Sequence, residues 1–526
     1  MKVKSIVIPA LVSLVSCTSV IEVGVPAEDK STLEDVQHEE IVLGEKLDDP
    51  YSLENMQSAL LSVYPTKADR NVLKATDIYA RFLPKNNDDY DRLVSLGLKL
   101  VDHPLDYKIV RDGDYYHDPS VDEDMITWQY AVVSSEFKFP KDIPYEILES
   151  CYIPDTDGVT RADDIDWALV EREAYRLSGN GDLMPATKND GEYASPAGRI
   201  TIIDGSFDDA QPIGVSGVMV AVNSFVKFST AYTDDEGYYQ IPKTYSSDVR
   251  YRLVFRNEKG FAIGLNKVLV PASTSALGLN AASGIDVEIT SGSERKLFSR
   301  CVVNNAARDY FEKCSNESMP IKTPPQNVRM WLFQNLASSS APMLQQGVIL
   351  DMESISSFLG VYKDIVQIFM PDITLGLKNC PDYSSIYSSA QHELAHASHF
   401  MKAGKDYWNK YVDYILKSFL TSGGNMYGSG GTENSGYCEI GEMWAYYLEN
   451  ELYRDRYGVK CPNYSTTRWF SPQILQNLDE RGVNRSMIYQ ALDSQSCTLD
   501  ALKSKLIELY PDNMNMIEQV FNRYSN

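Results

Sequence analysis

Histidine is scarce in this chain, with six among 526 residues, and other shortages narrow what it can be. Cationic side chains are outnumbered, 49 Lys and Arg against 73 Asp and Glu, for a formal net charge of −24. Gripping a nucleic-acid backbone needs clustered Lys and Arg, so no nucleic-acid partner is expected. None of the eight cysteines stands in a C-x-x-C pair, which argues against a cysteine-built zinc site or a redox dithiol. After the opening residues, no uncharged apolar run reaches the about 18 residues a membrane-spanning helix requires. What remains is a folded composition, 43% hydrophobic and 23% charged, long enough for about two to four domains.

The chain opens on Met1-Lys2-Val3-Lys4, followed by SIVIPALVSLV, an apolar run too short to span a bilayer comfortably. It ends in Leu14-Val15-Ser16 ahead of Cys17. This resembles a bacterial lipoprotein signal. The resemblance implies a signal peptide over 1–17 and a lipid on Cys17 as the sole membrane anchor. It places the protein in the cell envelope, with the outer membrane the expected one. Seven cysteines follow, an odd number, so export would leave at least one thiol outside any disulfide.

Residues 18–49 are acidic and weakly patterned and read as a tether. Residues 50–196 interleave two periodicities, which predicts a small N-terminal α/β domain. SLENMQSALLSVY, NDDYDRLVSLG with Asn87 as cap, IPYEILESCY and DIDWALVEREAYRLSG read as helices. DIYARFLP, LKLVDHP and TWQYAVVSS read as strands. His103 and His117 stand alone there and are expected to be structural or surface residues.

Residues 197–292 alternate and are rich in β-branched side chains. RITIID, GVMVAVNS, KFSTAYTD, YYQIP, RYRLVFR and KVLVP are short strands at short spacing, the pattern of a β-sandwich. Asp235-Glu236-Gly237 between two of them is a tight hairpin turn that demands a positive φ at Gly237. GVMVAV followed by STAYTDDEGYYQIP resembles the carboxypeptidase regulatory-like family. That resemblance implies a transthyretin-like sandwich serving as an accessory module. Residues 293–526 are mostly helical, with SISSFLGVYKDIVQIF among the helices and NVRMWLFQN and PDITLGLK as strands. The expected class is a multidomain α+β protein.

Half of the histidines fall within QHELAHASHF, Gln391 to Phe400. Ile386, Ala390, Leu394, Ala397 and Met401 recur at steps of three and four, a stripe that buries one side of a helix. His392 and His396 stand opposite it, one turn apart, so their imidazoles can converge on one ion. Glu393 adjoins the first. In this H-E-x-x-H spacing two neutral imidazoles hold Zn²⁺, and the glutamate is general base toward a water the ion acidifies.

A catalytic zinc site needs a third protein ligand and an open position. His399 follows His396 by three residues, but one straight helix cannot wrap three rings around an ion. No histidine lies further downstream, so a carboxylate is expected, and the helical run CEIGEMWAYYLENELY offers Glu439 and Glu442. HELAH with EMWA resembles the gluzincin-type zincin metallopeptidases, in which a glutamate on a second helix, often in E-x-[aromatic]-A, completes the site. The resemblance implies Glu442 as third ligand. Glu439 is its rival, or a partner that hydrogen-bonds a ligand histidine. It also implies an antiparallel edge strand above the helix, assigned to PDITLGLK, along which substrate backbone pairs. An oxyanion donor is expected from among Tyr437, Tyr446 and Tyr447. Glu433 and Glu449 are expected to be solvated.

The expected function is zinc-dependent hydrolysis of peptide bonds in a protein or peptide substrate. Its alternative is a surface binding or adhesion lipoprotein that keeps a zincin scaffold with little or no turnover.

Overall fold

A computed structural model describes residues 40–68, 72–122, 125–154, 165–184, 193–264, 272–315, 320–348, 372–422, 425, 427–462, 464 and 468–524. Cys17 and the rest of the signal, most of the tether, KVLVP and SISSFLGVYKDIVQIF lie outside these residues. The fold is mixed α/β, with strands prominent in the first half and helices in the second.

The N-terminal part holds β1 (Val42–Lys46), β2 (Asp77–Phe82), β3 (Tyr107–Arg111), β4 (Gln129–Ser134) and β5 (Tyr145–Cys151). β1 pairs with β3, and β2 lies between β4 and β5, all antiparallel. Two expectations need correction here. β1 begins inside the stretch read as tether, because Val42 and Leu43 find partners in Arg111 and Ile109. IPYEILESCY is a strand, not a helix. Tertiary pairing with β2 overrides its ambiguous local pattern, and the Leu83 N–H donates to the Pro144 carbonyl at 2.8 Å just beyond the ladder. LKLVDHP forms only a single bridge, Val101 to Tyr130.

Helices α1 (Leu53–Val63), α2 (Asn87–Ser95) and α3 (Trp167–Leu177) accompany these strands. Asn86, one residue before the expected cap, caps α2 by accepting from the Asp89 N–H at 2.9 Å. Met56, Ala59 and Leu60 of α1 meet Val170, Ala174 and Tyr175 of α3 in one buried cluster.

Next come β6 (Ala197–Ile203), β7 (Pro212–Gly214), β8 (Met219–Ser224), β9 (Lys227–Tyr232), β10 (Tyr238–Gln240), β11 (Val249–Val254), β12 (Ala262–Ile263), β13 (Thr274–Asn280) and β14 (Val287–Ile289). They build one sheet ordered β10-β6-β14, with β7 also on β6, and a second ordered β13-β11-β8-β9. The turn before β10 therefore does not close a hairpin: it carries the chain from one sheet to the other. Gly237 takes φ +87°, and a Cβ there would lie 2.1 Å from the Ile200 carbonyl oxygen, so glycine is required.

The remainder is helical around one small sheet. It contains α4 (Arg295–Cys314), β15 (Arg329–Phe333), β16 (Ile373–Gly376), α5 (Tyr383–Ala403), α6 (Lys405–Ser422) and α7 (Ser435–Tyr457). Shorter helices follow at Gln473–Asp479, Arg485–Ala491, Leu499–Leu509 and Met514–Asn522. β12, β15 and β16 form a parallel sheet. PDITLGLK is thus a strand, but it runs parallel to its neighbour rather than antiparallel. Its other side bridges Ser340 through Thr374, with N–H to carbonyl distances of 2.9 and 2.8 Å.

A single apolar core runs from Ile200 to Phe521, joining the middle sheets to the helices. Ion pairs reinforce the joins: Arg300 grips Asp114 through both terminal nitrogens at 2.8 Å. The seven described cysteines form no disulfide. Among the described residues no helix is long and apolar enough to cross a membrane.

Candidate metal centre

The centre is built by two long buried helices. α5 starts at a reciprocal cap, Asp382 accepting from the Ser385 N–H at 2.9 Å while Ser385 Oγ accepts from the Asp382 N–H at 3.2 Å. Its apolar stripe is buried as far as Ala397, whereas Met401 is 37% exposed. The opposite face is buried too, because α5 is covered on more than one side. Gln391 Nε2 donates to the Ala306 carbonyl of α4 at 3.0 Å, and Trp444 Nε1 of α7 donates to the Ala395 carbonyl at 3.1 Å.

His392 and His396 converge on α7. His392 Nε2 lies 3.6 Å from Glu442 Oε2, and His396 Nε2 lies 3.5 Å from Glu442 Oε1. One ligand atom from each of the three residues lies within 4.8 Å of the others. Separations of 3.5 and 3.6 Å are too long for hydrogen bonds. They suit ligands on a shared ion, since two donors each about 2.05 Å from tetrahedral zinc stand about 3.4 Å apart. The fit is also one of unmet need. Both nitrogens of His396, Nε2 of His392 and both oxygens of Glu393 are buried without a hydrogen-bond partner, a costly state for polar atoms. A divalent cation would satisfy the Nε2 atoms of His392 and His396, though not His396 Nδ1; the glutamate beside them would face a water.

Neighbouring groups fix the ligands. Glu449, expected to be solvated, is 1% exposed, and this corrects the reading. It sits seven residues beyond Glu442, two turns along the same face of α7, and its Oε2 meets His392 Nδ1 at 2.9 Å. That contact orients the ring so that Nε2 faces Glu442. Ser388 Oγ and, at 3.4 Å, Cys461 Sγ reach the other oxygen of Glu449. Glu442 Oε1 accepts from the Tyr411 hydroxyl of α6 at 2.6 Å. Gly441 makes room for that contact, since a Cβ there would lie 3.1 Å from the Tyr411 ring.

The electrostatics follow from burial. Desolvation alone would lower His392, but its contacts with Glu442 and Glu449 and the charge of Glu393 raise it to about 10. His396 is pushed down to about 3 by desolvation and is a neutral ligand in waiting. Burial drives the Glu393 carboxyl well above its usual range, with Glu442 and Glu449 adding to the rise. Glu442 is held below its usual range: burial opposes this, but His396, His392 and Tyr411 outweigh it. The surplus of carboxylate around His392 is what a dication would neutralise.

Other expected residues stand apart. Glu439 is outside the converging set, and burial raises it to about 7. His399 is fully buried against Tyr407 and Trp408, with ring centroids 5.0 and 5.5 Å away. Among the tyrosines, Tyr446 packs on the His392 ring at 4.6 Å. Tyr447 donates instead to Asp479 at 2.6 Å, and Tyr437 accepts from Lys410 at 3.0 Å. Glu433 is exposed. His103 is buried against Asp102 at 2.9 Å.

Tyr411 was not singled out from the sequence, and Glu449 was read there as solvated. The two-turn spacing from Glu442 is a signal for Glu449; Tyr411 has none, being one tyrosine among 34. His392, Glu393, His396 and Glu442 all show 0% exposure. No family model matches the chain, and neither does any curated protein or solved structure.

Proposed function

We propose that this protein is a zinc-dependent metallopeptidase in which His392, His396 and Glu442 hold the metal and Glu393 is the general base. One observation carries the reading: two imidazole nitrogens and a carboxylate at ion-sharing distances, with a buried glutamate beside them whose two oxygens have no partner. Zinc held there would act as a Lewis acid toward water and the scissile carbonyl. Glu393 accepts the water proton and returns it to the leaving amine. Glu449 keeps the His392 ring in register, and Tyr411 keeps the Glu442 carboxylate in place. A purely structural ion has no use for Glu393 at that position.

The complete burial of the four side chains favours a second reading, a metal centre without turnover in a surface-binding lipoprotein. Hydrolysis requires this site to open to a peptide. In both readings Cys17 carries the lipid that holds the chain to a bacterial envelope membrane. Residues 50–196 and 197–292 serve as a small α/β domain and an accessory sandwich, and 293–526 as the zincin domain.

The test is metal analysis and peptide-library hydrolysis on the same samples. The peptidase reading expects about one zinc per chain, turnover in the wild type, and metal without turnover in Glu393→Gln. Zinc without turnover in the wild type selects the second reading, and a chain that takes up no zinc removes both.

A further inference from the structure

Next to the proposed metal centre stands an arginine that no carboxylate answers. Arg468 is half-buried, its Cζ 4.4 Å from the centroid of the Tyr427 ring, 5.4 Å from Tyr446 and 5.8 Å from Phe470. Among the described residues no acid closes an ion pair with it; its Nε is buried without a hydrogen-bond partner, and its two terminal nitrogens keep accessible surface. Arg300, Arg456 and Arg485, by contrast, each grip a carboxylate, at 2.8 Å from Asp114, 2.7 Å from Asp204 and 2.6 Å from Asp455. Drawing a guanidinium partly out of water without its counter-charge is unfavourable, and aromatic faces offset only part of that.

The surroundings hold the group in place and leave its outer donors open. Tyr446, one turn beyond Glu442 on α7, touches both the guanidinium and, at 4.6 Å, the His392 ring. One ring therefore separates Arg468 from a proposed metal ligand, and the charge of Glu442 reaches it. Glu442 is itself committed to Tyr411. Tyr427 is fixed through its carbonyl, which accepts from the Tyr414 hydroxyl of α6 at 2.8 Å and from Trp469 Nε1 at 2.9 Å. Gly430, at φ +71°, lets this loop lie on Trp469, where a Cβ would stand 2.7 Å from the indole.

A planar fork of N–H donors fits a carboxylate in charge and in shape. Given the peptidase reading, on which this rests, we propose that Arg468 receives a carboxylate of the peptide substrate, at its C-terminus or on an Asp or Glu side chain, and thereby selects which peptides the metal cleaves. Extended chain advances about 3.3–3.6 Å per residue, so a group one ring beyond His392 reads a residue close to the scissile bond. The substrate brings the counter-charge that the fold omits, and a peptide without it leaves the guanidinium unpaired.

The experiment is hydrolysis of matched peptide libraries by the zinc-loaded full chain: one with free C-termini, the same library amidated, and amidated sets carrying Glu or Gln. Carboxylate-bearing peptides should be cleaved with a kcat/KM about 10–100-fold higher, the effect of one charge-assisted contact. The same contrast should appear without turnover, as tighter calorimetric binding of acetyl-Ala-Glu-Ala acid than of acetyl-Ala-Gln-Ala amide to the Glu393→Gln chain. Arg468→Met should remove the preference while zinc content stays unchanged, and Arg468→Lys, which keeps the charge and the stem, should retain a smaller one. A preference for free termini assigns the carboxylate to the C-terminus, and one for Glu over Gln assigns it to a side chain. Equal behaviour of the charged and neutral peptides in either assay, or a preference that survives Arg468→Met, would overturn the proposal and leave the peptidase reading standing. A zinc-loaded chain that hydrolyses none of the libraries removes both.

Discussion

The proposed metal site among the helices and the carboxylate-lined cavity of the N-terminal strands both concentrate acids, and they treat them in opposite ways. At the metal centre each acid is dedicated: Glu442 is held by Tyr411, Glu449 by Ser388 and His392, and only Glu393 keeps both oxygens without partners. The ligands come from two rigid helices and close to within 4.8 Å. In the cavity the acids come from loops and from β5 around about 300 Å³, and the exposed Lys46 stands 3.3 Å from Asp106. Convergence suits the small dication proposed for the first of them.

Substitutions can break or sharpen this contrast. The largest effect is expected from Glu393→Gln, which should reduce hydrolysis by about 10²–10⁴-fold while zinc content stays unchanged. Loss of the metal in that variant would mean that Glu393 is a ligand rather than a base. Glu449→Gln should lower zinc affinity by about 10–100-fold, read by competition with a chelator. An unchanged affinity would show that His392 needs no orienting partner. Tyr411→Phe should cost about tenfold in the same assay, since one hydrogen bond to a carboxylate is lost. Lys46→Gln should leave zinc content and affinity untouched, and any shift in either would show that the two acidic sites are coupled.

The two regions also differ in how much their sequence discloses. His392, Glu393 and His396 were legible because a helical period fixes which side chains share a face, and the apolar stripe named the other face. Glu442 was preferred to Glu439 through the resemblance of EMWA to a family motif, whereas the geometry that sets the two apart depends on the rotation of α7 against α5. Tyr411 stayed hidden because its contact with Glu442 depends on how α6 packs, which no local pattern encodes. In the N-terminal region IPYEILESCY carries a pattern compatible with either period, and pairing with β2 decided it. The acids of the cavity are far apart in sequence, from Asp48 to Glu149, so only tertiary packing makes them neighbours.

Zinc-edge X-ray absorption on the purified wild-type chain tests the central claim most directly. A metal held by His392, His396 and Glu442 predicts a first shell of nitrogen and oxygen alone, at about 2.0–2.2 Å, with imidazole back-scattering. A sulfur shell near ~2.3 Å, or a spectrum that survives His396→Ala unchanged, would contradict it.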